Sequence, residues 1–221
     1  MAELRNGSAR RQKTKSSDLT NLRIKCAILG DGNVGKSAML LTYLTGKFPD
    51  ESCPGPIDGL SEFDHLTTRP VTITHENTEV EMSFVDTYGQ DEYDKLRERL
   101  CSQADVYLLC YDVSRPASFD RVKHHWVPEF RRYSAPDCPF LVVGLKTDIR
   151  SKAQADGSDI TEFVTYNEGL RGSEALGATY YVECSAKNNF AGVKRVFHKA
   201  AEKAALSSLP SDLKRSSCVV S

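Results

Sequence analysis

The sequence has almost no net charge: 29 Lys+Arg stand against 30 Asp+Glu in 221 residues, a formal −1. No whole-molecule basic field exists to attract a polyanion, so a nucleic-acid role is not expected. Long hydrophobic runs are also missing. Nothing approaches the roughly 18 apolar residues that a membrane-spanning helix needs, and the first residues carry no apolar core of a secretory leader. Seven cysteines are present, an odd number with no CxxC pair, so neither a zinc cage nor a disulfide framework is indicated. Several lie inside apolar runs, as Cys110 does in VYLLCYD, where a free thiol acts as a small hydrophobe suited to a reducing, cytosolic compartment. With 40% hydrophobic and 27% charged residues, the chain has the composition of one ordinary globular domain.

The two ends differ from the middle. Residues 1–20 hold Arg5, Arg10, Arg11, Lys13 and Lys15 against Glu3 and Asp18, a local +3. They have too few large apolar residues to order themselves and read as a basic tail. Residues 207–221 are Ser-rich and read as a second tail. Between them, residues 21–206 alternate short apolar runs with helical stretches. Runs at 22–29, 80–86, 105–112, 140–145 and 179–185 have strand length and composition. The stretches Lys36–Thr45, Asp91–Cys101, Ala117–Tyr133, Tyr166–Leu176 and Phe190–Leu206 read as helices. Near-continuous apolar strands between helices predict a three-layer α/β domain with a mostly parallel sheet covered on both faces.

The most specific local pattern is Gly30-Asp31-Gly32-Asn33-Val34-Gly35-Lys36-Ser37, which matches GxxxxGK[ST] between a strand and a helix. Glycines allow backbone N–H groups to close around phosphate oxygens, and the helix N-terminus adds its positive dipole. Lys36 is placed to reach the β- and γ-phosphates, and the Ser37 hydroxyl to ligate Mg²⁺. This pattern alone leaves ATPases, kinases and GTPases open. The segment Gly144-Leu145-Lys146-Thr147-Asp148 follows an apolar strand. A carboxylate such as Asp148 can accept from both N1–H and N2–H₂ of guanine, a donor pair that adenine lacks. Cys184-Ser185-Ala186-Lys187 ends the last strand and can offer backbone N–H groups to guanine O6.

Taken together, GDGNVGKS, DTYGQ (86–90), LKTD (145–148) and ECSAK (183–187) resemble the small GTPases of the Ras superfamily. Within it the Rho/Rac branch is most similar, through Asp94-Lys-Leu-Arg97, Ser114–Phe119, Trp126-Val-Pro-Glu129 and Val142–Arg150. The resemblance implies a P-loop GTPase fold with a mostly parallel six-stranded sheet. It also implies a site in which Lys36 and the backbone of Asp31–Ser37, with Gly30 and Ala38 at its borders, hold the phosphates. Ser37 and Asp86 would hold Mg²⁺, Gly89 would meet the γ-phosphate, and Gln90 would orient the attacking water. Phe48 would pack on the guanine, Lys146 and Lys187 would cover it, and Asp148, Ser185 and Ala186 would read it. Residues Ser151–Ile160 stand where that branch carries an extra helix, but here the segment is short and contains glycine.

Several positions depart from the resemblance. Gly55 replaces the first-switch Thr whose hydroxyl goes to Mg²⁺, Ser52 replaces a Tyr, and Tyr88 replaces the Ala of DTAGQ. Val85 stands for a Trp linked to the choice of exchange factor, and Leu145 for an Asn or Thr before the base-reading lysine. The expectation is a Rho-like switch that binds GTP and GDP with Mg²⁺ and hydrolyses GTP slowly, as both switches order poorly. The alternative is a non-hydrolysing module held in one nucleotide state. Cys218-Val-Val-Ser221 fits C-a-a-X and predicts prenylation of Cys218. Such a protein would be a monomer at the cytoplasmic face of a membrane, with a cytosolic pool. Its partners would be exchange factors, GTPase-activating proteins and effectors of the Rho type.

Overall fold

The structure, a computed structural model, describes residues 21–49, 70–75, 78–87 and 94–208. The elements run β1 (Asn21–Leu29), α1 (Lys36–Thr45), β2 (Val71–His75), β3 (Thr78–Asp86), α2 (Asp94–Cys101) and β4 (Val106–Asp112). Helix α3 follows in three joined pieces: Pro116–Arg121, the π-helical Val122–Trp126, and Val127–Tyr133. Then come β5 (Phe140–Leu145), α4 (Thr147–Ala155), α5 (Tyr166–Ala175), β6 (Tyr180–Glu183) and α6 (Phe190–Ser208). The π turn precedes Pro128, which has no N–H to return to the preceding turn, so the helix loosens there.

The six strands lie in the order β2-β3-β1-β4-β5-β6. Only the β2–β3 pair is antiparallel. The expected α/β fold with a mostly parallel six-stranded sheet is therefore the one observed. Period-two alternation sends Ile24, Cys26 and Ile28 to one face, with α1 and α6, and Ala27 and Leu29 to the other, with α2, α3 and α5. All residues of β4 and β5 are buried, as expected of strands covered on both sides. Cys26, Cys110 and Cys184 lie in the first layer and Cys101 and Cys138 in the second, all free thiols. Burial pushes the Cys138 thiol up to about 11 and those of Cys101 and Cys184 up to about 12, which keeps them protonated at neutral pH. No helix among the described residues is long and apolar enough to cross a membrane.

Two sequence expectations need correction, and one open point is answered. The edge strand β2 is not among the apolar runs, because only Val71 and Ile73 meet the core, with exposed Thr72 and Thr74 beside them. The last strand ends at Glu183, not Ser185, and the chain turns at 186–188. No separate insert helix forms over Ser151–Ile160. Helix α4 starts at Thr147, directly after the base-reading lysine, and stops at Asp156, where Gly157 in the left-handed region (φ 69°) ends it. Between 156 and 165 the chain makes only turns. The helix expected from Asp91 is seen from Asp94; residues 91–93 lie outside the described residues.

Candidate functional site

The C-terminal ends of five strands converge on one edge of the sheet. β1 delivers residues 30–37, β3 delivers Asp86, β4 delivers Asp112, β5 delivers 144–148 and β6 delivers 183–187. Strand order reverses at β1, whose neighbours are β3 on one side and β4 on the other. Crevices of α/β sheets that hold ligands open at such a point. Gly30 (φ 143°) is obligatory there, because a Cβ would lie 2.3 Å from the Cys110 carbonyl oxygen. Gly35 (φ 109°) turns the loop into α1. Lys36 is buried, and its Nζ donates to the Gly30 and Asp31 carbonyls at 2.7 and 2.8 Å. Burial lowers the pKa of its ammonium, opposed in part by Asp86.

The Ser37 hydroxyl, in the first turn of α1, donates to Asp86 Oδ2 at the end of β3 at 2.5 Å. Burial raises the Asp86 carboxyl, against the pull of the Ser37 bond and the Lys36 charge. Its other oxygen, Oδ1, is buried without a hydrogen-bond partner among the described residues. Thr87 anchors the next stretch by donating to the Ile28 carbonyl at 2.7 Å.

At the other end of the crevice, the Ser185 hydroxyl donates to Asp148 Oδ1 at 2.6 Å and accepts from the Lys187 and Asn188 amides. This joins the two expected base-reading loops. Lys146, left-handed at φ 62°, leans over the phosphate loop: its stem passes 3.6 Å from where a Cβ on Gly35 would sit, and its Nζ donates to the Asn33 carbonyl at 2.7 Å. Leu145 is buried in the apolar layer beneath the same loop.

A sequence model of the Ras family matches residues 25–206. The chain belongs to the Ras family. It is a small GTP-binding switch, of a family that binds GTP and GDP, acts with regulators and effectors, and generally uses Mg²⁺ with the nucleotide. The chain's own residues fit that ion: a serine hydroxyl and a carboxylate with one buried, unpartnered oxygen form the hard, all-oxygen donor set that Mg²⁺ prefers.

Of the site residues expected from sequence, Gly30–Ala38, Asp86, Lys146, Asp148 and Ser185–Lys187 all fall at this edge. Phe48 lies just past α1 and is 45% exposed. Gly89, Gln90, Tyr88, Ser52, Gly55 and Cys218 lie outside the described residues.

Sequence reasoning missed the side chains that brace this edge from behind. The Asp31 carboxylate accepts from Arg121 Nε at 2.7 Å and Trp126 Nε1 at 2.8 Å, which fixes the phosphate loop to α3. Arg150 of α4 pairs with Glu183 at the end of β6 and donates to the Val164 carbonyl at 2.6 Å. Glu183 also accepts from Tyr181, whose hydroxyl meets that of Tyr111 at 2.6 Å. The one available signal was a charged or aromatic residue closing an otherwise apolar run, as in VYLLCYD and YYVE.

Proposed function

We propose that this Ras-family protein is a Rho-like switch that hydrolyses GTP slowly and is tethered to the cytoplasmic face of a membrane through a prenylated Cys218. The observation that carries the nucleotide reading is the gathering of Lys36, the Ser37–Asp86 pair and the Asp148–Ser185 pair along one sheet edge. Two of the three Lys36 donors brace its own loop, leaving the third for a phosphate oxygen. Amides of residues 31–37 cradle the β-phosphate and Asp148 selects guanine. Ser37 and Asp86 would hold Mg²⁺, which would supply neutralisation of phosphate charge. Gln90 orients the water whose oxygen attacks the γ-phosphorus while the bond to the β-phosphate oxygen breaks, releasing GDP and phosphate.

Gly55 and Tyr88 support slow turnover, since the first lacks the hydroxyl and the second brings a bulky ring where the family's pattern has Thr and Ala. The same two residues favour a second reading, a non-hydrolysing module. Single-turnover release of phosphate from pre-bound, γ-labelled GTP at millimolar Mg²⁺ separates them: slow release supports the switch, and retained GTP supports the module. Restoring Thr at Gly55 and Ala at Tyr88 should raise the rate. One lipid holds a protein only marginally, so the +3 tail of residues 1–20 serves as the second, electrostatic signal. Removing residues 1–15 should lower partition onto anionic vesicles, and unchanged partition rejects this role.

A further inference from the structure

We infer that Asp112 is a positioning residue for the nucleotide site: its buried carboxylate holds Lys146 and Arg115 on the carbonyls of the phosphate loop. It thereby supplies the cross-link between base loop and phosphate loop that Leu145 cannot make. The inference rests on the reading that residues 30–37 and 144–148 together hold a guanine nucleotide.

Asp112 is the last residue of β4 and only 2% exposed. Its two oxygens have separate duties. Oδ1 accepts from the Ser114 amide at 2.9 Å and the Ser114 hydroxyl at 2.6 Å, closing the turn into α3. Oδ2 faces two cations, Lys146 Nζ at 2.9 Å and Arg115 Nε at 3.5 Å. Each cation continues to the phosphate loop: Lys146 to the Asn33 carbonyl at 2.7 Å and Arg115 to the Gly32 carbonyl at 3.2 Å. One buried anion thus anchors two parallel bridges to consecutive loop carbonyls.

The backbone marks the same link. Among the described residues, Asn33 (φ 63°) and Lys146 (φ 62°) are the two non-glycine residues in the left-handed region, and they are the two ends of the Lys146 bridge. An L-residue keeps that conformation only where its surroundings hold it. Without a charge at Oδ2, an ammonium on a long, flexible stem has little reason to stay in one place. A hydroxyl or amide at position 145 would give a second tie between the loops. Leu145 has neither and is packed into the core at 2% exposure.

The test uses the full-length protein loaded with a fluorescent GDP analogue and chased with unlabelled GDP at millimolar Mg²⁺. Asp112→Asn keeps the shape and the Oδ1 acceptor but turns an N–H₂ toward Lys146. Release should accelerate about tenfold or more, as for loss of a charged hydrogen bond. On a Lys146→Met background the same change should add less than about threefold, because only the longer contact to half-exposed Arg115 is then left for Asp112 to hold. Acceleration within twofold of wild type, or an equal factor on both backgrounds, overturns the inference. Asp112→Glu against Asp112→Gln compares charge at constant shape, so any folding defect is shared. Glu should release at least about fivefold more slowly, and equal rates overturn the inference. A wild-type chain that fails to retain the analogue refutes the nucleotide reading itself, an outcome distinct from a wild-type chain that retains it and an Asp112→Asn chain that retains it equally.

Discussion

The two faces of the central sheet are built from different materials. On the α1–α6 side the contacts are apolar, with Tyr43, Phe84 and Phe197 stacked and edge-on to one another and Ala200, Ala201 and Ala204 letting α6 approach closely. On the α2–α3–α5 side, aromatic residues enclose polar groups. Arg97, 1% exposed, makes two bonds to the buried Glu129 at 2.9 and 3.2 Å and lies 5.0 Å from the centre of the Trp126 ring. Trp126 in turn reaches Asp31 of the phosphate loop, and Tyr111, Tyr181 and Glu183 lead to Arg150 of the base-loop helix. Apolar contact is non-directional and fixes how close two layers come. Hydrogen bonds and ion pairs are directional and fix where a loop sits. One face holds the sheet together, and the other aims the site.

The largest effects should come from core substitutions that damage either face but are repairable on only one. Phe197→Ala should cost about 3–5 kcal/mol of unfolding free energy through its cavity. Glu129→Leu should cost about 3–5 kcal/mol by depriving buried Arg97 of its carboxylate. Adding Arg97→Met to the second should recover most of the loss in denaturant titrations, and no recovery would break the contrast. Trp126→Phe keeps an aromatic ring, though a smaller one, and removes the donor to Asp31. We expect about 1.5–3 kcal/mol of destabilisation, the range for a hydrogen bond to a charged group, with faster GDP release as the phosphate loop loosens. Unchanged release would sever the polar face from the site. Leu145→Thr should slow GDP release by up to about tenfold, the factor for one added hydrogen bond, measured with the same displacement assay.

The smallest effect sharpens the comparison at the rim of the polar face. Thr165 and Glu168 form a reciprocal cap on α5, and the Thr165 amide followed by its hydroxyl lowers the Glu168 carboxyl below its usual range. A depressed carboxyl contributes stability that is present above its unfolded pKa of about 4.3 and lost as pH falls through the lower folded value. Thr165→Ala should cost about 1 kcal/mol at neutral pH, and the difference from wild type should shrink below about pH 4. A difference that persists in acid would assign the cost to the Thr165 hydroxyl alone.

Much of this was legible in the residues. The phosphate loop could be read because its glycines and the helix that follows are neighbours in the chain, and Lys36 binds carbonyls five and six positions away. The helix over Lys36–Thr45 and the strand over Phe140–Leu145 were read to the residue. The short edge strand Val71–His75 escaped because two inward residues, Val71 and Ile73, are too few for a periodic signal. Helix α4 escaped because it buries no residue and so shows no apolar face in the sequence.

What the sequence alone determined was the chemistry on offer and its local frame: a phosphate loop at the end of a strand, a base-reading aspartate after another, and membership of a GTP-binding family. Local sterics and period-two burial decide such features within a few residues of chain. Only the tertiary structure decided how the pieces are aimed. The Trp126 bond to Asp31 spans 95 positions and the Lys146 bond to Asn33 spans 113. Such contacts depend on strand order, register and the rotation of α3 against the sheet, which no window of sequence contains. A buried carboxylate at the end of β4 becomes the anchor of two cations only once β1, β4 and β5 lie side by side.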